Sequence, residues 1–246
     1  MLIRPHPVLC FEKPLARAWG GTVSAILLIL LLPGHARAQS KQFWPEVSTF
    51  IKLNDTMRFY FLATTVKENR DSAEGEFGPN LDFYLKPLMK RKKWLLFPLD
   101  ESKNRYLMVR VGYRYIRPYT GDTPAEHRGV LEATPRYPLP YGVLASDRSR
   151  IDFRFIGGEF SWRYRNRLTL ERQFSIRRLK FNPYVRGEVY YDSRFHKWSR
   201  TELTAGSAFP ITKHFEFESY FAHQNDTSGS PNRQVNALGA VLNLYF

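Results

Sequence analysis

From Phe160 to Gln173 the sequence sorts two chemistries by parity. Phe160, Trp162, Tyr164, Leu168 and Leu170 fall on one side; Ser161, Arg163, Arg165, Arg167, Thr169, Glu171 and Gln173 fall on the other, and only Asn166 interrupts the apolar row. A helix would scatter these arginines around its circumference, whereas a strand sends alternate side chains to opposite faces. The segment predicts a strand with one apolar and one ionic face. Two faces so different in polarity need two different surroundings.

The same period recurs almost to the last residue. Leu107, Val109, Val111, Tyr113 and Tyr115 oppose Arg110, Gly112 and Arg114, and Ile151, Phe153 and Phe155 oppose Arg150, Asp152 and Arg154. Eleven runs read this way, approximately Val47–Leu53, Met57–Val66, Phe77–Leu85, Tyr106–Arg117, Arg128–Tyr137, Arg150–Ile156, Phe160–Gln173, Phe181–Tyr191, Ser199–Phe209, His214–His223 and Val235–Phe246. Gly, Pro, Asn, Asp and Ser clusters punctuate them, and helical periodicity is absent. The interval Lys86 to Asn104, with the basic run Lys90-Arg91-Lys92-Lys93, has no readable period. Lys67 to Phe77 and Gln224 to Asn232 read as long loops on one side of the fold.

The N-terminus carries Arg4, Lys13 and Arg17, then an apolar stretch densest at residues 25–32, then Ala36-Arg37-Ala38. These are the three parts of a secretory signal, with cleavage expected between Ala38 and Gln39 and an uncleaved anchor as the alternative. Residues 1–38 are thus expected to be a signal peptide and residues 39–246 a single β-domain. The one cysteine, Cys10, would leave with the signal, so neither a disulfide framework nor a cysteine-based zinc module is available. The net charge of +14 falls only to +11 on cleavage. No second apolar run is long enough for a helical span.

An exported chain of amphipathic strands suits a closed transmembrane barrel. There the apolar faces meet lipid, the polar faces line the interior, and closure pairs every strand edge. A soluble β-sandwich also alternates, but its polar faces are thick with Lys, Glu, Ser and Thr, whereas here Arg, Glu, Asp and Tyr dominate at the same alternating positions. The last run supports the barrel: Leu238, Ala240, Leu242, Leu244 and Phe246 alternate up to a C-terminal aromatic. Leu242, Leu244 and Phe246 resemble the signature that barrel assembly machinery recognises. The expected fold is an all-β, antiparallel up-and-down barrel of about 12 strands (range 10–12). Bacterial single-chain barrels have even counts, so the eleven runs suggest a further crossing, in Lys41 to Glu46 or in Lys86 to Asn104.

Phe43-Trp44-Pro45-Glu46, Lys52-Leu53-Asn54, Gly112-Tyr113-Arg114-Tyr115, Glu126-His127-Arg128, the Arg163 to Arg167 ladder and Asn243-Leu244-Tyr245-Phe246, taken in order, resemble the uncharacterised bacterial outer-membrane family known as domain of unknown function 2490. The resemblance implies a barrel in the outer membrane of a Gram-negative bacterium. It implies no activity, cofactor or catalytic residue.

The residues expected to line the interior are Arg110, Arg114, Arg128, Glu132, Arg150, Asp152, Arg154, Arg163, Arg165, Arg167, Glu171, Arg186, Glu188, Arg200, Glu202, Glu216 and Glu218. Two readings stand. Clustered arginines in a low-dielectric wall would favour small anionic solutes in a porin-like channel, or cross-strand ion pairs would fill a narrow structural barrel. His127 is the one catalytic candidate for a lipid- or lipopolysaccharide-modifying barrel, which would need an activated serine near it. Ser146, Ser149, Ser161, Ser193 and Ser199 are available, in no recognisable motif. No metal-ligand spacing is present, and nothing in the sequence calls for a cofactor. Membrane lipid and lipopolysaccharide are the expected partners, with no nucleic acid because the chain is exported.

Overall fold

The computed structural model describes residues 40–68, 71–87, 99–119, 123–177 and 179–246. The expected signal peptide, its cleavage residues Ala36 and Ala38, and Lys90 to Lys93 lie outside the described residues. The strands are β1 Ser40–Lys52, β2 Met57–Glu68, β3 Asp71–Pro87, β4 Arg105–Pro118, β5 Glu126–Leu139, β6 Val143–Ile156, β7 Glu159–Arg172, β8 Phe174–Ile176, β9 Leu179–Asp192, β10 Lys197–Pro210, β11 Phe215–Asp226 and β12 Arg233–Tyr245. Short 3-10 turns occupy Glu101–Asn104 and Pro140–Gly142.

Apart from β8, each strand pairs with the next in the chain, β9 following β7 in the wall and pairing with β7 and β10. The three-residue β8 pairs only with the start of β9, Phe174 opposite Phe181, and continues the course of β7 beyond Gln173. The wall is therefore a closed ring of eleven strands with β8 as an extra piece. Its seam joins β1 to β12 in parallel, from Ser40 opposite Val235 to Phe50 opposite Tyr245. An odd number of strands that alternate in direction leaves the first and last pointing the same way, so closure must be parallel.

The expected extra crossing is accordingly absent from the described residues. Lys41 to Glu46 form the first half of β1. In Lys86 to Asn104 the described residues hold the end of β3 and a 3-10 turn. Lys67 to Phe77 is no long loop either, because Lys67 faces Ser72 and Glu68 faces Asp71 within the β2–β3 pair. The period is lost there because the register shifts at Val66 and Lys67, and a bulge puts two residues opposite one.

Alternation sets what each face meets. Phe77, Leu81, Val111, Leu131, Phe153, Leu168, Leu203 and Leu238 are exposed on the outside, while Arg114, Asp82, Asp152, Glu188 and Asp192 are buried inside. The usual arrangement of a soluble protein is inverted. Aromatic rings gather toward the two rims. Tyr106 meets Tyr137 edge-on at 5.6 Å and Phe174 stacks on Phe181 at 5.6 Å near the C-terminal rim. Near the opposite rim Phe155 meets Phe160 at 5.1 Å and Trp162 stacks on Tyr191 at 5.4 Å.

Candidate functional site

The interior is a cavity of about 630 Å³ whose lining draws on strands all round the wall. Its charges are layered. Asp82, Glu132, Asp152, Glu188 and Asp192 are almost wholly buried against the wall and do not reach the cavity, whereas among the described residues fifteen Arg and Lys side chains line it beside eight carboxylates.

Guanidinium groups hydrogen-bond four of those buried acids, and Arg110 and Arg148 each lie 3.8 Å from the fifth, Glu132. Asp82 accepts from Arg110 Nε at 2.6 Å and from Arg58 Nη2 at 2.7 Å. Glu188 accepts from Arg148 Nη2 at 2.6 Å, Arg165 Nε at 2.8 Å and Arg167 Nε at 2.7 Å. Asp192 accepts from Arg163 Nη2 at 2.7 Å and Arg154 Nη1 at 3.0 Å, and Asp152 accepts from Arg150 Nε at 2.6 Å. Each of these acids is covered by the longer arginine side chains that bond it, so here the carboxylates stay at the wall and the guanidiniums form the inner surface. Charge-assisted bonds of this kind are roughly twice as strong as neutral ones and fix orientation as well.

Of the seventeen residues expected in the interior, thirteen line the cavity: Arg110, Arg114, Arg128, Arg150, Arg154, Arg163, Arg165, Arg167, Arg186, Arg200, Glu202, Glu216 and Glu218. Glu132, Asp152, Glu171 and Glu188 are buried behind it. The pattern of strand parity does not reveal Asp100 and Lys103. The first 3-10 turn folds inward, so that Arg58 Nη1 on β2 donates to Asp100 at 2.8 Å and Lys103 Nζ meets Glu171 on β7 at 2.5 Å. The turn thereby bridges distant parts of the ring near the C-terminal rim.

The lining is also divided around its circumference. Strands β4 to β9 present Arg110, Arg114, Arg128, Arg136, Arg148, Arg150, Arg154, Arg163, Arg165, Arg167 and Arg186, with Glu126 as the one acid among them. The other wall is acidic on balance: it carries Glu46, Glu74 and Glu76, and beyond the seam Glu202, Glu216 and Glu218, against Arg58 and Arg200, with Trp44 and Tyr220 between. Trp44 and Tyr220 both face Gly239 across the β1–β12–β11 rows. A Cβ at Gly239 would lie 2.0 Å from the Tyr220 ring, so a residue without a side chain is what lets the rings close over that strand, 6.4 Å apart. One step along, Glu46 and Glu218 flank Val241 in the same way.

The other candidates lie on the outside. His127 is outward, its Nδ1 2.6 Å from the Tyr113 hydroxyl, and no serine of the described residues hydrogen-bonds to it. Asn166, the polar break in the apolar row of β7, donates to Asp147 at 2.7 Å and to Ser149 at 3.4 Å, with Tyr164 3.2 Å from Ser149. Among the described residues Asp147 is the one carboxylate, lysine or arginine that alternation places outward more than three residues from a strand end. Leu242, Leu244 and Phe246 also point outward. The main chain of Phe246 completes the seam, its N–H donating to Phe50 and its carbonyl accepting from Lys52, both at 2.8 Å.

Fold and interior together define a closed β-barrel with an apolar exterior and an arginine-fronted lumen. The chain belongs to the family "Protein of unknown function (DUF2490)", whose model matches residues 41–235, nearly the whole described barrel. Comparison with curated proteins gives no match.

Proposed function

We propose that the protein is an integral barrel of the bacterial outer membrane and that its lumen is a narrow channel favouring small anions. The apolar exterior with aromatic rings toward both rims supports the membrane location, because a lipid-facing band edged by aromatic girdles is the hallmark of such barrels. The observation that carries the channel reading is the layering of charge: the buried acids sit behind the guanidiniums, so a solute in the lumen meets mostly cations. In a low-dielectric wall such a surface focuses potential on anions and is weakened by salt.

The turn that carries Asp100 and Lys103 narrows one end and would set the resting conductance. Single-channel recording of the protein purified from membranes, in planar bilayers with a salt gradient at two ionic strengths, tests the reading. Stepwise conductance with anion-selective reversal potentials that decline at high salt is expected. A folded barrel that stays silent would make the ion pairs a structural filling instead. Recovery of the protein in a carbonate wash of membranes would remove the barrel-in-membrane reading altogether.

A further inference from the structure

The two walls of the lumen have opposite sign, and each has groups left over from its own pairing. On the arginine wall, Arg150 is 6% exposed and gives Nε to Asp152, but its Nη2 is buried with no hydrogen-bond partner. On the facing wall, Glu46 accepts from the Ser48 hydroxyl at 2.7 Å, and no cation of the described residues lies within ion-pair distance of it. Glu46 stands two residues from Trp44 on the same face of β1, and Trp44 meets Tyr220. Carboxylate and aromatic faces together recognise ammonium groups, by charge and by the ring quadrupole. Unpaired guanidinium nitrogens recognise carboxylate or phosphate oxygens. Both sets line one cavity.

We propose that the lumen binds a dipolar solute carrying an ammonium group and an anionic group, with the ammonium against Glu46, Trp44 and Tyr220 and the anion against Arg150 and its neighbours. The inference rests on the reading of the lumen as open to solutes. A simple anion satisfies one wall and leaves Glu46 unmatched. A simple cation satisfies the other and meets the arginines. A dipolar molecule aligned across the lumen satisfies both, and the field between the walls orients it before contact.

The test is calorimetric titration of the protein purified in detergent with glycine betaine, tetramethylammonium chloride and sodium acetate. Glycine betaine is expected to bind at least about ten-fold more tightly than either ion. Glu46→Gln is expected to bring betaine down to the affinity of acetate without changing acetate itself. Trp44→Leu, which keeps every charge, is expected to weaken betaine and tetramethylammonium but not acetate. Betaine binding no tighter than the better single ion, absence of binding by all three probes, or an unchanged betaine affinity in both variants would overturn the proposal. Anion-selective conductance without a betaine advantage would sink this inference and leave the channel reading standing. A silent barrel that binds betaine would do the reverse.

Discussion

Lys103 Nζ lies 2.5 Å from a carboxylate oxygen of Glu171, joining the inward turn that follows β3 to the far end of β7. Both side chains are largely shielded from water, so the pair acts as a latch across one end of the lumen rather than as a surface contact. Lys103→Ala removes the latch without touching a strand pairing. It is expected to raise single-channel conductance or the fraction of time spent open, with the barrel still running as a folded species on unheated gels. Unchanged currents in a folded variant would mean that the turn does not limit permeation.

Glu188 is the acid on which Arg148, Arg165 and Arg167 converge. Glu188→Gln leaves three guanidiniums around a neutral amide, and breaking a buried ion pair from one side costs about 3–5 kcal/mol. The expected result is a lower midpoint in urea unfolding from lipid or detergent. The double variant Glu188→Gln with Arg148→Gln should recover part of the loss, since it removes one of the uncompensated charges. A midpoint equal to that of the unaltered protein would show that the arginines find other partners.

Asp147 is placed in the opposite sense, outward in the apolar band. A charge on the lipid face is destabilising by up to about 2–4 kcal/mol for the basic residues, and by less for acids. Asp147→Leu is therefore expected to stabilise the barrel by about 1 kcal/mol, while Asn166 keeps its contact with Ser149. Conductance should not change, because the residue faces away from the lumen. A loss of stability would instead indicate that the Asp147–Asn166 bond helps to hold β6 on β7.

Phe246 ends the outward apolar row of β12, and its side chain is exposed while its main chain holds the seam. Phe246→Ser keeps those backbone bonds and deletes only the outward ring. Slower insertion and a lower yield in the membrane fraction are expected, read by pulse-labelling and fractionation. Equal yield would take assembly recognition away from this residue.

Most of the wall was legible because a strand's two faces are written directly in its parity. In β7 the alternation alone separates Arg163, Arg165 and Arg167 from Trp162, Tyr164 and Leu168, and the register is then forced by the cost of turning either set around. Strand parity says nothing about how the first strand meets the last, so the preference for even counts suggested a crossing that the described strands do not contain. The first run was read only from Val47, yet β1 starts at Ser40, with Pro45 inside it at the seam opposite Ala240. Lys103 was beyond reach for a different reason: its position depends on Glu171, distant in sequence, and no local period encodes that contact. The layering of acids behind arginines was equally hidden, because side-chain length matters only once the wall has curved.

The parallel seam has a consequence for how the molecule comes into being. The edge of β1 waits for a partner that starts only at Arg233, so the ring cannot shut until β12 is in place. Until then two lengths of strand backbone stand open, each able to capture a stray strand from another molecule. Bringing such distant ends together is the slow step expected of high contact order. A chain that loses its final strand would lose more than one part in eleven of its wall: it would be left as an open sheet with two sticky margins, and quality control would meet it as such.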